Sequence, residues 1–445
     1  MKEQIFATIE KHADKMREIL DYMWANPQSG FREWKANKLL LDAYKALGYE
    51  PVEAGDIPGF YVDIDTGNPG PRIAIFSELD GLSCPNHPNA DKETGIAHAC
   101  GHHAQCAALY GVAAALKEVD LSSLSGSIRL LIVPAEELGE FDFRQSLKDK
   151  GIIKYFSGKQ EFVRRGYLDG CDIGYMIHTG GKTHKFSVQP GCNGCIVKTA
   201  EFKGKAAHAA AGFLGVNALY AANLSLNAIN ALRESFYTHD YVRVHPIIRH
   251  GGNVVNIIPD KVVIENQVRA AKVGVLKRVN KKVNRATAAS AAAMGANVVI
   301  NDIPGYLPGN YFKPLIDAMF EAMAEVVPAE NCTYNERWDA SCTDMGDISQ
   351  LMPAVHAVGC GAEGAGHSVD YKIVDFDSAC LDSAKAQVMI VVNLLKNGAE
   401  KAKSIIEQFT PAFASKEEYF SFLDSLFLNK TAVTYNGEDT AELDF

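Results

Sequence analysis

The spacing of hydrophobic positions changes along the chain, and these changes predict its elements. Apolar side chains recur every three or four residues in some segments, which predicts helices, and form short unbroken runs in others, which predicts strands. Runs that are apolar throughout are typical of strands buried on both faces of a sheet. The predicted helices span residues 3–24, 34–47, 107–116, 307–327 and 378–397, and the predicted strands span residues 60–64, 73–76, 128–133, 172–177 and 355–358.

Between residues 191 and 305 the pattern differs, because two segments alternate apolar and polar positions like half-exposed antiparallel strands. The predicted order there is strand, helix, strand, strand, helix, strand, which is the split βαβ arrangement of ferredoxin-like folds. We therefore predict an α/β fold whose main domain comprises residues 1–190 and 306–398. An α+β domain is inserted at 191–305, and residues 399–445 form a C-terminal extension with a helix at 416–428 and a frayed, acidic end.

Length, charge and cysteine usage narrow the functional class. The 445 residues carry a net charge of -10, and 47% of them are hydrophobic. We see no basic cluster, which argues against nucleic acid or an anionic membrane as a partner. The N-terminus does not resemble a secretory signal, and no apolar run is long enough for a membrane span. The scattered cysteines indicate a reducing compartment, so we expect a cytoplasmic protein.

The densest chemistry lies in the segment Ala97–Cys106. It contains three histidines and two cysteines in ten residues. Thiolate and imidazole are the ligands that borderline-soft divalent metals prefer. Gly101 permits a sharp backbone turn, and a buried helix follows directly. The segment therefore predicts half of a metal site, placed at the start of a helix.

Other polar side chains follow predicted strands. Asp80 comes after one strand, Glu136 and Glu137 after another, His178 ends a third, and His367 follows a glycine-rich loop. Ligand sites in open α/β sheets lie at the carboxyl ends of strands. One of the adjacent glutamates can bind a metal while the other takes a proton from water. The alternative is structural: acids at a solvated helix N-terminus and histidines as polar caps.

Three further motifs allow other interpretations. Cys100 with a neighbouring histidine could act as a nucleophile, although the many histidines and carboxylates suit a metal better. Residues 359–364 match the dinucleotide motif G-x-G-x-x-G, but no βαβ unit follows them. Residues 192–195 form a lone C-x-x-C, which we interpret as a turn that enters a strand.

Taken together, the motifs resemble the metal-dependent aminoacylase/carboxypeptidase superfamily. The most similar branch contains hippurate hydrolase, indole-acetyl-amino-acid hydrolases and aminobenzoyl-glutamate hydrolase. The resemblance runs in order from about residue 10 to residue 397. The segments that carry it are His98–His103, Pro134–Glu137, Tyr175–His178, Gly204–Ala210, Gly251–Asp260 with Arg269, and Cys342–Asp347.

This resemblance implies a zinc-exopeptidase-like catalytic domain with a mixed sheet, and an inserted ferredoxin-like domain that serves as lid and dimerisation domain. It also implies two divalent metal ions per subunit, with zinc expected and manganese or cobalt as alternatives. The implied ligands are Cys100, His102, Glu137, His178 and His367. Glu136 is the implied general base, Asp80 supports the ligands, His208 steadies the oxyanion from the other subunit, and Asn256 and Arg269 hold the substrate carboxylate.

The resulting hypothesis is a cytoplasmic, homodimeric amidohydrolase or peptidase that cleaves the amide bond of N-acyl or N-aroyl amino acids or of dipeptides. The alternatives are a non-catalytic, metal-binding ligand sensor of the same fold and a dipeptidase or carboxypeptidase proper.

Three departures from the family pattern stand out. His103 replaces an Asp or Asn, which leaves it either a supporting residue or a ligand. Glu78 stands where sister branches have a metal-binding His. The segment Phe141–Tyr167 is longer than usual and is expected to form a helix or flap at the site edge.

Overall fold

The computed structural model describes residues 1–181, 184–437 and 440–444. These residues form two units, one comprising Met1–Gly191, Asn310–Trp338 and Thr343–Ala412, and the other comprising Cys192–Gly309, Asp339–Cys342 and the C-terminal residues from Phe413. The helices span Lys2–Lys11, Ala13–Ala25, Trp34–Ala46, His102–Glu118, Phe141–Asp149, Gly158–Arg164, Ala218–Leu232, Val273–Ala293, Lys313–Met323, Met345–Leu351, Ser383–Gln408 and Lys416–Asp424.

An eight-stranded mixed sheet forms the centre of the first unit. Its strands lie in the order Val52–Glu53, Phe60–Asp65, Ser127–Val133, Arg72–Glu78, Ile173–Thr179, Ala354–Gly359, Phe186–Val188 and Cys332–Tyr334. The four strands from Ser127–Val133 to Ala354–Gly359 are mutually parallel, so their carboxyl ends share one edge. The mixed α/β fold predicted from the apolar runs is confirmed.

Two long helices cover this sheet, and both are mostly buried. The helix His102–Glu118 is buried from its first residue to Leu116, as its unbroken apolar sequence predicts. The helix Ser383–Gln408 is interrupted at Lys396–Ala399 by non-helical backbone angles. The segment Asp377–Gln408 is long and apolar enough to cross a membrane, but 78% of its most apolar window is buried inside the protein. It is therefore a core helix by its packing.

A five-stranded antiparallel sheet forms the second unit. The elements follow the order strand, helix, strand, strand, helix, strand that the alternating pattern predicts. The strands lie in the order Arg243–His250, Lys261–Ala270, Gly194–Lys203, Asn297–Pro304 and Leu428–Thr431. Alanines of the helix Ala218–Leu232 pack on the apolar face of this sheet. Its function as a lid or dimerisation domain, and the predicted domain boundaries, stay predictions.

The structure differs from the predicted elements at two places. Residues 3–24 form two helices instead of one, since His12 leaves helical geometry. The end of the chain, expected to be frayed, is paired in its described part, because Leu428–Thr431 completes the edge of the second sheet and Val433–Tyr435 pairs with Ala441–Leu443. The segment Phe141–Tyr167, expected to form a helix or a flap, contains two helices, and the second, Gly158–Arg164, is buried against the main sheet.

Gly158 fixes how closely the buried second helix of this segment approaches the main sheet. A Cβ atom at Gly158 would lie 1.6 Å from the carbonyl oxygen of Pro134 and 3.0 Å from a methyl group of Val133. The Gly158 amide also donates to the carbonyl oxygen of Ala135, at 3.2 Å. Only glycine therefore allows this helix to contact the backbone that leads to Glu136.

We expect Gly158→Ala to lower the free energy of unfolding by about 1–3 kcal/mol, because the methyl group overlaps a backbone oxygen that must shift. Gly139→Ala is the matched control, since a Cβ there meets no atom within 4 Å. The control should change stability by less than about 0.5 kcal/mol. Urea denaturation measures both values, and equal stabilities of the two variants would contradict the packing described.

Candidate metal centre

Six of the predicted site residues meet at the carboxyl edge of the parallel strands in the first unit. The strand Ser127–Val133 leads to Glu136 and Glu137, and the strand Ile173–Thr179 carries His178 near its end. Cys100 and His102 lie at the start of the helix His102–Glu118, where Gly101 has a φ of 101°. That positive φ favours glycine and turns the backbone between the two side chains.

Cys100, His102 and His178 form the first group of possible ligands, with one donor atom of each lying within 4.8 Å of the others. The Cys100 Sγ atom lies 3.4 Å from Nε2 of His178. Burial lowers the pKa of His178 to about 3, with help from His356, so its imidazole is neutral, as a metal ligand must be. The group offers one sulfur and two nitrogen donors, which suits a borderline-soft metal.

Asp80 orients two of the predicted ligands. Its backbone oxygen accepts a hydrogen bond from Nδ1 of His102 at 2.8 Å, and its Oδ1 lies 3.2 Å from the same nitrogen. Because a carbonyl oxygen can only accept, Nδ1 carries the proton and the lone pair of Nε2 points toward the site. Oδ2 of Asp80 accepts from the backbone amide of Glu137 at 2.7 Å.

Cys100, Glu137 and His367 form a second group that shares the thiol with the first. Nε2 of His367 lies 2.9 Å from Oε1 of Glu137, and the His367 side chain is 54% exposed. Burial acts to raise the pKa of Glu137, but the neighbouring His367 outweighs it and lowers that pKa. The two groups thus extend from a buried side at His102 to an open side at His367.

Glu136 lies beside both groups and joins His102 and Glu137 in a third. Its Oε2 lies 4.0 Å from Nε2 of His102. Burial raises the pKa of Glu136 well above its ordinary value, and the neighbouring Glu78 and Glu137 add to the effect. A carboxyl group with a raised pKa can exchange protons near neutral pH, which is what a general base requires.

The chemistry of these donors fits divalent metal ions. Within the described part of the chain, Nε2 of His102 and Oε2 of Glu78 are buried without a hydrogen-bond partner, although they lie 3.3 Å apart. Burial acts to lower the pKa of His102, but Cys100 and Glu78 outweigh it and raise that pKa well above normal. Donors that hold a proton this strongly also attract a divalent cation, which releases the proton on binding.

Two residues that the sequence did not single out, Glu33 and Arg144, hold the backbone before the ligands. Ala135 has a φ of 55°, a left-handed conformation that costs about 1–2 kcal/mol for a residue with a Cβ. Its amide donates to Oε1 of Glu33 at 2.8 Å. Arg144, buried in the long segment 141–167, donates to the backbone oxygens of Glu137 and Phe156. No local pattern marks either residue, because Glu33 contacts an amide 102 positions away and Arg144 contacts backbone oxygens, which leave no side-chain pattern in the sequence.

His103 does not join any group of possible ligands among the described residues. Its ring packs 5.2 Å from that of His98 and 5.1 Å from that of Trp24, centroid to centroid. Burial lowers the pKa of both histidines, that of His98 to about 3, so both rings are neutral. His103 therefore packs against His98 and Trp24, outside the groups of possible ligands, and its role beside the metal centre stays a prediction.

The three predicted substrate residues lie in the second unit. His208 is exposed, and its Nδ1 accepts from the backbone amide of Ala210 at 3.1 Å, so the neutral ring carries its proton on Nε2. Asn256 is also exposed, and its backbone oxygen accepts from the Ala209 amide at 2.9 Å. Arg269 lies on the strand Lys261–Ala270, where its Nη2 donates to Oε1 of Gln267 at 2.6 Å.

Comparisons with known proteins find relatives named as a deacetylase and a hydrolase. The N-acetyl-L-cysteine deacetylase of Bacillus subtilis is 29% identical over 290 residues, which cover 62% of this chain and 63% of that protein. Hippurate hydrolase of Campylobacter jejuni is 26% identical, over 55% of this chain and 61% of that protein. The matched part of the chain thus spans less than two thirds of the length of either relative.

A solved structure has a similar fold along most of the chain. The crystal structure of a dinuclear metal-binding peptidase from Bacillus subtilis matches with a TM-score of 0.63 at 19% identity, over 86% of this chain and 99% of that one. The model of one protein family matches residues 60–397, which include every predicted ligand of the metal centre. The chain therefore belongs to peptidase family M20/M25/M40.

Proposed function

We propose that this protein is a metal-dependent amidohydrolase that cleaves the amide bond of N-acyl or N-aroyl amino acids or of dipeptides. The observation that carries the proposal is the position of Glu136, which joins His102 and Glu137 in one buried group of possible ligands. A base placed beside metal ligands is the arrangement that hydrolysis by a metal-activated water requires. The acyl-amino-acid relatives support the substrate class.

The proposed ligands are Cys100, His102, Glu137, His178 and His367, for two divalent ions per subunit. Sulfur and imidazole donors favour zinc, although the carboxylate also admits manganese or cobalt. When bound, such ions would polarise the amide carbonyl and make a water molecule more acidic. Glu136 takes the proton of the attacking water and returns it to the leaving amine. Asp80 keeps His102 and Glu137 in place during these steps.

Three further residues have proposed roles toward the substrate. Nε2 of His208, which carries the proton in the neutral ring, donates to the oxyanion that forms as the carbonyl is attacked. Arg269 and Asn256 bind the free carboxylate of the substrate, a task for which a planar guanidinium is well shaped. In this proposal His208 acts on the metal centre of the other subunit, so the enzyme works as a homodimer. We also propose that it is cytoplasmic.

Exposed apolar side chains of the second unit support the dimer. Val255, directly before Asn256, is 98% exposed, and Phe213, on the short 3-10 helix that follows His208, is 86% exposed. Apolar side chains that are this exposed in a single chain are typical of a surface that contacts another protein. A second copy of the chain that covers these side chains would also place His208 next to that copy.

The surroundings of Cys100 disfavour the alternative in which its thiol is the nucleophile. Burial raises the pKa of Cys100 well above its ordinary value, and the carboxylate of Glu137 adds to the effect. A nucleophilic cysteine needs the opposite shift, because the thiolate is the reactive form. A cation that replaces the thiol proton suits this environment better.

We expect Glu136→Gln to lower kcat by about 100- to 10,000-fold on N-acyl amino acids, because the amide cannot accept a proton. Glu93→Gln changes an exposed glutamate and should leave the rate unaltered. The wild-type rate should fall as the pH drops through the pKa of Glu136, which burial raises in the metal-free protein, since the base is active only when deprotonated. Steady-state kinetics on metal-loaded protein test both expectations, and an undiminished rate in Glu136→Gln would refute the mechanism. If the wild type bound N-acyl amino acids without turnover, the result would instead favour the alternative of a non-catalytic ligand sensor.

Mixed dimers test whether His208 acts across subunits. A chain with Glu136→Gln and a chain with His208→Ala are co-expressed with different tags and purified through both tags. Each parent variant alone should be nearly inactive, whereas each mixed dimer contains one intact site of two and should show about half of the wild-type activity. Mixed dimers as inactive as the parents would show that His208 does not act on the partner's site.

A further inference from the structure

A group of three carboxylates lies beside the metal ligands. Glu78, Glu136 and Asp344 are all buried, and each offers an oxygen atom within 4.8 Å of the other two. Only oxygen donors are present in this group, and such sets bind hard cations such as Mg²⁺ and Mn²⁺. Three carboxylates this close together repel one another, so the group requires a positive charge.

Lys159 supplies that charge. Its Nζ donates to Oε1 of Glu78 and to Oδ1 of Asp344, both at 2.5 Å, and its side chain is fully buried. A buried ammonium group costs several kcal/mol of hydration, which these two contacts offset. Lys159 belongs to the buried helix Gly158–Arg164, so its position is fixed by the packing of that helix.

The two carboxylates that Lys159 contacts have different surroundings. Oδ2 of Asp344 accepts hydrogen bonds from Oγ of Ser157 at 2.7 Å and from the backbone amide of Lys159 at 3.1 Å. Glu78 instead directs its second oxygen toward Nε2 of His102, at 3.3 Å. Lys159 therefore determines which oxygen of Glu78 faces the metal ligands.

We propose that Lys159 is a positioning residue that serves as a built-in cation of this carboxylate group and thereby confines metal binding to the groups that contain Cys100 or His102. This inference rests on the proposed function, because it assumes that those groups hold metal ions. A tethered ammonium cannot exchange with ions in solution. The number of ions per chain is thus set by Lys159 as well as by the ligands themselves.

Removal of both the charge and the volume of Lys159 should open the group to a divalent ion. Lys159→Ala leaves three carboxylates around a space, whereas Lys159→Met removes the charge but fills the space. Lys198→Ala is the matched control, since Lys198 is also buried but contacts a single carboxylate, Asp302. Each protein is dialysed against Mn²⁺, and the bound ions are counted by elemental analysis and by electron paramagnetic resonance.

We expect Lys159→Ala to bind one more Mn²⁺ per chain than the wild type, and to gain more thermal stability from Mn²⁺ than the wild type gains. Lys159→Met and Lys198→Ala should keep the wild-type number of ions. An unchanged count in Lys159→Ala overturns the proposal, as does a failure of both Lys159 variants to fold at any Mn²⁺ concentration. A wild type that binds neither Mn²⁺ nor, in a parallel dialysis, Zn²⁺ contradicts the proposed function instead, so the two failures are distinguishable.

Discussion

The structure of the first unit depends on one constraint: charged and polar donors are buried at one edge of a sheet and must be compensated there. Glu78, Asp80, His102 and Asp344 are each at most 1% exposed. Burial of an unpaired charge is among the most costly events in folding, so each group needs a partner within the protein or a bound cation. Lys159 compensates Glu78 and Asp344, and the amide of Glu137 partners Asp80. The remaining donors converge on positions that suit metal ions.

The same constraint explains the role of the long segment 141–167. Its two helices contribute Arg144 and Lys159, which hold the backbone of Glu137 and the side chain of Glu78. Gly158 lets the second helix contact Pro134 closely enough for these interactions to form. The segment thus stabilises the centre from within the protein.

The sequence predicts much of this arrangement, because parallel strands must place their carboxyl ends at one edge. Glu136, Glu137 and His178 follow apolar runs, and that pattern suffices to bring them together. The pairing of Lys159 with Asp344 joins residues 185 positions apart, and no periodicity records such a contact. His12, where the first helix ends, contacts Glu118, and the added strand Leu428–Thr431 pairs with Asn297–Pro304, so both features involve residues distant in sequence.

The ligand set is the central claim, and X-ray absorption spectroscopy at the metal edge tests it most directly. Zinc-loaded protein should show sulfur at about 2.3 Å together with nitrogen and oxygen neighbours, because Cys100 belongs to both groups of ligands. The sulfur signal should disappear in Cys100→Ser and persist in Cys106→Ser, whose thiol donates to the backbone oxygen of Glu78 at 3.1 Å. A wild-type spectrum with only nitrogen and oxygen neighbours, or a sulfur signal that survives Cys100→Ser, would contradict the account.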